Sequence, residues 1–413
     1  MLNKFTETFA KSSLYKNSFY LMLGTFIMAV LGFIYWTINT RLYSVEQVGI
    51  GTTIISIMSL VTNFSVLGLN SALIRYLPKS ENRNRKINTA FLITTLITIL
   101  LSVVFILFIQ QLAPKLFFLR NRWDFALIFL IFMGFSASSF LIDSIFIAYR
   151  SSQFVLIKHT VFSFLKIIFI FLFLGFGAFG IFLSWSLALT IACVISIIIL
   201  KQKFQYKFFP KIDSISFREM FSFSSANYAV DFIRNLPTML FPLMITNILN
   251  SETTAYYFIA MMIANILYII PQSINQSVFA EGSHDDKAIR EHITKGLKII
   301  SATLVPAIII TIIFGKFVLV FFGKSYAEES FSFLKLLAIA GIFLSANNMF
   351  EALFKVKKKM KPLLFSTAFG VLITILLSYF LLKPFGLYGI GVAWIIGQIV
   401  TLIGYFIFYK MAS

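Results

Sequence analysis

The chain of 413 residues is far more apolar than a soluble protein of its length, with 59% hydrophobic residues, 51 phenylalanines and 12% charged residues; soluble domains have about 25% charged residues. Its formal net charge of +19 would suit a nucleic-acid partner. Most of that excess, however, falls in the connections between apolar segments, where membrane topology and anionic lipid account for it. Composition therefore argues against a soluble enzyme and a nucleic-acid-binding protein, and it predicts an all-α polytopic membrane protein.

Twelve apolar segments approach the length of about 20 residues that a helix needs to cross a bilayer. If the first segment begins in the cytoplasm, the inner connections carry 25 lysines and arginines and the outer ones carry 7. Basic residues are retained on the cytoplasmic side of short connections. We therefore expect a multi-pass protein of the cell (inner, cytoplasmic) membrane with both termini in the cytoplasm. The predicted spans lie at about 17–43, 48–74, 88–110, 124–149, 158–175, 180–200, 218–249, 253–279, 296–314, 328–354, 361–382 and 386–409.

A ten-residue pattern recurs half a chain apart, at Phe176–Trp185 (FGAFGIFLSW) and Phe385–Trp394 (FGLYGIGVAW), with five identical positions. Each copy falls between the fifth and sixth predicted span of its half, where glycines allow a sharp reversal. Six spans per half leave both halves in one orientation. We therefore expect two six-helix lobes, residues 1–206 and 207–413, related by a pseudo-two-fold axis along the membrane normal, as in parallel-repeat transporters. A relic of gene duplication without moving parts is the alternative.

The seventh predicted span carries polar and charged residues inside an otherwise apolar stretch, namely Asn227, Asp231, Arg234 and Asn235. Asp231 and Arg234 are three residues apart, so they share a helix face and can form an ion pair. Ionisable groups at bilayer depth are costly and usually mark a substrate pathway, and Pro237 and Pro242 can bend the helix that follows. We interpret this helix as a cavity wall; an ion pair that only holds helices together is the alternative.

A second buried pair is predicted from depth. Asp143 lies seven residues before the inner end of the fourth span, and Lys166 lies eight residues after the inner start of the fifth. At about 1.5 Å per helical residue the two reach similar depths, so adjacent antiparallel helices could bring them together. The pair could serve a substrate or a proton, or it could be purely structural.

Amide side chains also recur at helical spacing in the second and eighth spans. Amides can bind sugar hydroxyls in a wet cavity, and they can equally hold neighbouring helices together within lipid. Both interpretations stay open for the two sets, which are Ser56, Asn63 and Asn70 in the second span and Asn265, Gln272 and Gln276 in the eighth.

The residue patterns of an enzyme are not evident in the chain. It has no glycine-rich phosphate loop of the Walker kind, and the three histidines (His159, His284 and His292) show no metal-ligand spacing. No nucleophile lies beside a plausible base. We therefore expect no catalytic residue, no metal and no cofactor.

Several stretches, taken in order along the chain, carry a family resemblance. They are Thr40–Gly49 (TRLYSVEQVG), Leu67–Pro78 (LGLNSALIRYLP), Asn235–Pro237 (NLP), Ala255–Phe258 (AYYF), Ile270–Pro271 (IP), Phe279–His284 (FAEGSH) and Phe322–Ala327 (FGKSYA). Together they resemble the polysaccharide-biosynthesis flippases of the multidrug/oligosaccharidyl-lipid/polysaccharide exporter superfamily.

That resemblance implies a flippase that moves a polyprenyl-diphosphate-linked oligosaccharide from the inner to the outer leaflet. Its partners would be the lipid-linked glycan, membrane lipid and other polysaccharide-assembly proteins, with no nucleic acid. Arg234 and Lys166 could then meet the diphosphate through charge-assisted hydrogen bonds. A drug exporter of the same superfamily and a glycan polymerase or ligase are the alternatives.

Overall fold

The computed structural model describes residues 13–284, 289–357 and 359–412, which form long helices joined by short connections. Within those ranges there is no strand. Short helical turns lie at Ile109–Leu112, Phe118–Asn121 and Lys324–Glu329. In chain order the other α-helices are α1 (Ser13–Leu42), α2 (Val45–Val66), α3 (Leu69–Tyr76), α4 (Arg83–Leu107), α5 (Trp123–Ala148), α6 (Gln153–Leu172), α7 (Ala178–Phe204), α8 (Ser214–Ile248), α9 (Ser251–His284), α10 (Ile289–Val320), α11 (Phe331–Val356) and α12 (Met360–Ala412).

Ten of the described helices are long and apolar enough to cross a membrane. That set omits α8, which carries four charged residues along its length. It also counts α12 once, although non-helical backbone at Gly386 divides this element into two segments of spanning length. With α8 and both parts of α12, the described helices supply the twelve spans that the sequence predicts, and the all-α polytopic fold is confirmed.

The chain forms two compact units, and two of the three limits between them fall within helices, in α2 and in α8. The first, called here the N-lobe, comprises Met1–Tyr43 and Ile54–Tyr228; the second, the C-lobe, comprises Ser44–Thr53 and Ala229–Ser413. Helices α2 and α8 therefore each contribute residues to both units. The division of the repeat at residues 206 and 207 remains a prediction from the sequence.

The repeated pattern has a matching backbone geometry in the two halves. Gly177 has φ 55° and ψ −139°, and Gly386 has φ 57° and ψ −140°, a region that essentially only glycine occupies. The second glycine of each copy is equally constrained. A Cβ on Gly180 would lie 2.1 Å from the carbonyl oxygen of Phe173, and one on Gly389 would lie 2.4 Å from that of Leu381. The pattern recurs because both reversals need glycine at the same two places.

Large apolar side chains fill the interior of the N-lobe. One buried cluster joins α3, α4, α5 and α7 and includes Leu73, Ile145, Phe146 and Cys193. A second joins α6 to α7, and Met28 of α1 packs against it. The side chains that face outward along these helices are also largely apolar, as expected for helices whose outer surface meets lipid tails.

In the C-lobe, α11 packs against α9, α10 and α12. The two segments of α12 also approach each other closely. Within α12, Gly370 of the first segment lies against Gly397 of the second. A Cβ on Gly370 would lie 1.8 Å from Oγ1 of Thr401, and one on Gly397 would lie 1.7 Å from Oγ1 of Thr374. Small residues permit this approach, the usual solution in membranes, where close packing joins helices.

Candidate functional site

A polar cavity of about 440 Å³ lies inside the C-lobe. Residues of α8, α9, α11 and α12 line it, so every wall is a helix of the same compact unit. The lining is rich in amides, hydroxyls and charged groups, in contrast to the apolar surfaces of the same helices. A polar cavity within spanning helices is costly to form and usually has a function, so we take it as the candidate site.

Four charged side chains meet at this cavity. Arg234 of α8 donates from Nη2 to Oδ1 of Asp231 at 2.6 Å and from Nη1 to Oε2 of Glu351 on α11. Lys355 donates to the other oxygen of Glu351 at 2.7 Å. The ion pair between Asp231 and Arg234, predicted from their spacing, is confirmed. Two carboxylates and two cations leave the group with no net charge.

Burial differs sharply within this charged group. The side chain of Glu351 is 5% exposed, whereas that of Arg234 is 41% exposed and that of Asp231 49%. Glu351 thus forms the base of the cluster, and Arg234 and Asp231 form its open face. Sequence reasoning missed Glu351, although one signal was available: it is an acid within a span, four residues before a run of lysines.

Helix α8 presents Asp231 and Arg234 just before its two internal prolines. Pro237 and Pro242 each remove a backbone donor from the helical ladder, and α8 remains helical through both. Asn235 donates to the carbonyl oxygen of Asp231 at 2.9 Å, and Thr238 donates to that of Asn235 at 2.7 Å. These side chains occupy the same stretch of α8 that lines the cavity.

Amides supply much of the remaining lining. Gln272 and Gln276 of α9, both predicted from the sequence, line the cavity together with Asn265. The sequence analysis did not identify Asn347 of α11, which donates from Nδ2 to Oε1 of Gln398 at 2.9 Å. No sequence pattern marks either residue, because the two lie 51 residues apart and meet only through the packing of α11 against α12.

Three buried amide atoms of this lining have no hydrogen-bond partner among the described residues: Oδ1 of Asn275, Oδ1 of Asn347 and Nδ2 of Asn348. Buried polar atoms in proteins are normally paired with protein, water or a ligand. Their presence along one cavity therefore indicates a site that accepts polar groups, both donors and acceptors.

The predicted pairing of Asp143 with Lys166 is wrong. Asp143 accepts a hydrogen bond from Nζ of Lys158 at 2.9 Å and lies 3.2 Å from Nε2 of His159. Lys158 stands at the start of α6, directly opposite Asp143. Lys166 is eight residues further along α6, about 12 Å away and turned by about 80°, so it faces a different neighbour.

Lys166 instead lies in an aromatic enclosure. Its Nζ is 4.7 Å from the ring centroid of Trp185, 4.8 Å from that of Phe162 and 5.0 Å from that of Tyr35. Only 2% of Lys166 is exposed. Cation–π contacts of this kind stabilise a charge without a carboxylate partner. The lysine thus joins α6 to α1 and α7 within the N-lobe.

The amide stripe predicted for the second span is interrupted. Leu67 and Gly68 have φ of 51° and 77°, which ends α2 and starts the short helix α3. Asn63 lies before this break and donates to the carbonyl oxygen of Ser59 at 2.9 Å. Asn70 lies after it, so the two do not share one continuous helix face. Asn227 belongs to α8, but its side chain lies outside the described residues.

The predicted site residues thus divide between the lobes. Asp231, Arg234, Gln272 and Gln276 line the C-lobe cavity. Asp143, Lys166, Asn63 and Asn70 belong to the N-lobe. Among the described residues, no group of three histidine, cysteine or acidic side chains could hold a metal ion.

The fold and the charged cavity define a class, the multi-pass α-helical membrane proteins of the multidrug/oligosaccharidyl-lipid/polysaccharide exporter type. The family model "Polysaccharide biosynthesis protein" matches residues 14–280, and the model "MatE" matches residues 230–380. The chain belongs to the polysaccharide biosynthesis protein family.

Known proteins with similar sequence or fold agree with that membership. A "Putative O-antigen transporter" of Shigella flexneri is 27% identical over 204 residues, 48% of each chain; the match spans about half the length of that relative. The structure titled "Lipid II flippase MurJ, inward closed conformation" aligns with a TM-score of 0.77 at 16% identity, covering 94% of this chain and 87% of the other.

A multidrug resistance MATE family transporter in its inward-facing conformation aligns with a TM-score of 0.72 at 15% identity, covering 93% and 94%. At such identities these two likenesses establish the fold, which is common to a lipid flippase and a drug transporter. The choice between those activities therefore depends on this chain's own residues.

Proposed function

We propose that this protein is a flippase that moves a polyprenyl-diphosphate-linked oligosaccharide from the cytoplasmic to the outer leaflet for the assembly of a surface polysaccharide. Transport proceeds by alternating access, without a catalytic residue or a cofactor. The protein lies in the cell (inner) membrane with both termini in the cytoplasm, as the distribution of basic residues favours. Family membership and the likeness to an O-antigen transporter support this proposal.

The single observation that carries the proposal is the polar lining of the C-lobe cavity, with its unpartnered amide atoms. A sugar offers hydroxyls that both donate and accept hydrogen bonds, and it suits amides such as those of Asn275, Asn347 and Asn348. An apolar drug would leave the same buried atoms unpaired, at a cost of about 1–3 kcal/mol for each.

Arg234 is the residue that we assign to the diphosphate. A guanidinium has five N–H donors, and the ion pairs with Asp231 and Glu351 use two of them. The phosphate oxygens of the substrate would accept hydrogen bonds from the remaining N–H groups of Arg234. They would also replace the exposed carboxylate of Asp231 as the acceptor for one of the two N–H groups already in use. Glu351 keeps Arg234 in place throughout, because it is buried and also held by Lys355.

The proposal assigns the sugar to Gln272, Gln276 and the other cavity amides, and leaves the lipid tail in the bilayer. It does not include Lys166, because three rings surround its Nζ. Asp143 has a structural role beside Lys158 and His159.

Replacing Arg234 with alanine tests the assignment. Hydrogen bonds to charged groups are worth about 1.5–3 kcal/mol, so we expect at least a tenfold fall in surface polysaccharide at unchanged protein abundance. Unfolding should change little, since Arg234 is partly exposed and Glu351 retains Lys355. Lys335→Ala, which removes a cation from α11 outside the cavity, is the matched control. Full polysaccharide in Arg234→Ala would remove the diphosphate role.

The second candidate is an exporter of drugs or other amphiphiles, which the MatE match over residues 230–380 favours because it covers most of the cavity lining. An exporter of cationic drugs would be expected to have an excess of acidic side chains in its cavity, whereas this cavity has two acidic and two basic side chains. Drug resistance on expression, with no effect on glycan, would establish this candidate. Polymerisation of already translocated glycan units by the purified protein would instead establish a polymerase or ligase.

A further inference from the structure

A second cavity, of about 670 Å³, lies in the N-lobe at the ends of the spanning helices and separate from the C-lobe site. Three elements enclose it: the start of α4, the residue that follows α5, and the segment 205–213 that joins α7 to α8. Because α4 begins and α7 ends here, the cavity lies at the level where the membrane meets water. The neighbouring segments are rich in basic residues, among them Lys201, Lys203 and Lys207, and this charge favours the cytoplasmic side.

The segment 205–213 is fixed to α4 by buried polar contacts. Asn88 of α4 donates to the carbonyl oxygen of Lys207 at 2.9 Å and accepts from the hydroxyl of Tyr206 at 2.6 Å. The amide of Asp213 donates to Oγ1 of Thr89 at 3.0 Å. Asn88, Thr89 and Tyr206 are all buried. The cavity wall is therefore a defined structure, although its segment contains no helix.

Aromatic rings and cations give the cavity its chemistry. The rings of Tyr149 and Phe204 stack at 4.6 Å and line the cavity, and the guanidinium of Arg83 lies 5.8 Å from the centroid of Tyr149. Arg85 of α4 and Lys211 of the segment 205–213 supply two further exposed cations. Three cations thus converge on a space large enough for a phosphate-bearing headgroup.

Two acids line this cavity beside its three cations, so the lining keeps a formal charge of +1. Asp213 is committed to the start of α8, where its carboxylate accepts from Oγ of Ser216 at 2.5 Å. That hydrogen bond, aided by the charge of Arg85, lowers the pKa of Asp213. Glu81 is the other acid. Beyond the lining, Lys201, Lys203 and Lys207 add positive charge along the same edge.

Exposed apolar side chains flank the basic groups. Phe208 is 62% exposed and Phe209 59%, and Ile212 and Ile215 of the same stretch are also exposed. Aromatic and aliphatic side chains beside lysines are typical of segments that lie in the interface of a membrane. A soluble anion would need the cations alone, whereas a lipid would use both the cations and the apolar residues.

We propose that this cavity binds the headgroup of an anionic phospholipid, with its phosphate held by Arg83, Arg85 and Lys211 and its acyl chains beside Phe208 and Phe209. The lipid would bridge α4 and the segment 205–213, and so hold the connection between α7 and α8 against the membrane. This site is independent of the transported substrate, and its test does not require transport.

Lipid binding by the purified full-length protein tests the site. Phosphatidylglycerol and phosphatidylcholine are titrated in detergent, and bound lipid is measured by native mass spectrometry. We expect phosphatidylglycerol to bind at least tenfold more tightly. The double variant Arg83→Gln, Lys211→Gln should weaken it on the order of tenfold or more, since a basic residue at a membrane surface is worth about a factor of five. Lys298→Gln, Lys361→Gln, which removes two exposed charges elsewhere, should bind as the unmodified protein does.

Two further arms separate a lipid from other anions. Phe208→Ser, Phe209→Ser should weaken phosphatidylglycerol binding severalfold, and glycerol phosphate should not compete with the lipid at equal concentration. Equal binding of the two phospholipids, or equal losses in the cavity and control variants, would overturn the proposal. So would competition by glycerol phosphate, or displacement of phosphatidylglycerol by an equal concentration of polyprenyl diphosphate. Unchanged unfolding temperatures without added lipid would verify that each variant is folded.

Discussion

The N-lobe and the C-lobe both bury ionisable side chains within spanning helices, but they surround them differently. In the N-lobe, Lys158 is 4% exposed, and Ser139 and Asp143 both accept hydrogen bonds from its Nζ. In the C-lobe, Arg234 has two carboxylate partners and still presents an exposed face to a cavity in which three amide atoms have no hydrogen-bond partner among the described residues.

The comparison shows that a charged residue within an apolar span does not by itself indicate a substrate site. Burying a charge requires partners, and either the protein or a ligand can supply them. The protein supplies them around Lys158 and Lys166. Around Arg234 it supplies only part of them, and this difference separates the structural cluster from the candidate site. Three sets of substitutions test this difference between the two lobes.

The largest effect on stability is expected for Lys158→Ala in the N-lobe. This change leaves Asp143, whose side chain is 27% exposed, with only His159 beside it, and removing one partner of a buried ion pair costs at most about 3–5 kcal/mol. Thermal unfolding of the purified protein in detergent should show a large fall in midpoint. Lys355→Ala is the matched change in the C-lobe; it should cost much less, because Glu351 keeps Arg234. Equal losses in the two variants would contradict the comparison.

An intermediate effect, equal in the two lobes, is expected for Gly177→Ala and Gly386→Ala. Both positions have a backbone conformation that costs a residue with a side chain about 1–3 kcal/mol. Each substitution should lower the unfolding midpoint by a similar amount. Gly175→Ala serves as the control, because its Cβ would meet nothing within 4 Å. A clear loss at only one of the two reversals would show that the repeat is no longer equivalent in structure.

The smallest effect is expected for Lys166→Met. Methionine fills a similar volume among Tyr35, Phe162 and Trp185. The lost cation–π attraction, about 0.5–2 kcal/mol, is offset by removal of a charge that is costly to bury. Surface polysaccharide and unfolding should both stay close to those of the unmodified protein. A loss of polysaccharide at full abundance would instead give Lys166 a direct part in transport.

The sequence predicts those features that depend on neighbouring residues. Twelve spans follow from apolar length, and the ion pair between Asp231 and Arg234 follows from a spacing of three. The equivalent reversals at Gly177 and Gly386 follow from the repeated pattern. Each is a local property of the chain, and each is present in the structure.

Features that depend on helix rotation and on distant neighbours could not be predicted in this way. Glu351 lies 117 residues from Arg234, and only packing brings them together. Depth along the helix suggested Lys166 as the partner of Asp143. The angular position around the axis of α6, however, directs Lys158 towards Asp143 and Lys166 away from it. The break at Leu67 and Gly68 had a weak signal in the Leu-Gly pair, yet the regular amide spacing favoured one continuous helix.

The two reversal glycines also explain why the internal repeat can be recognised in the sequence. At lipid-facing positions many different apolar residues serve equally well, so the two halves need not share residues there. At Gly177 and Gly386 a residue with a side chain would strain the backbone, so both reversals require the same residue type. Similarity between the two halves of such a protein should therefore be sought first at positions whose backbone conformation only glycine can adopt. At those positions the backbone restricts the residue type more than the apolar surroundings do.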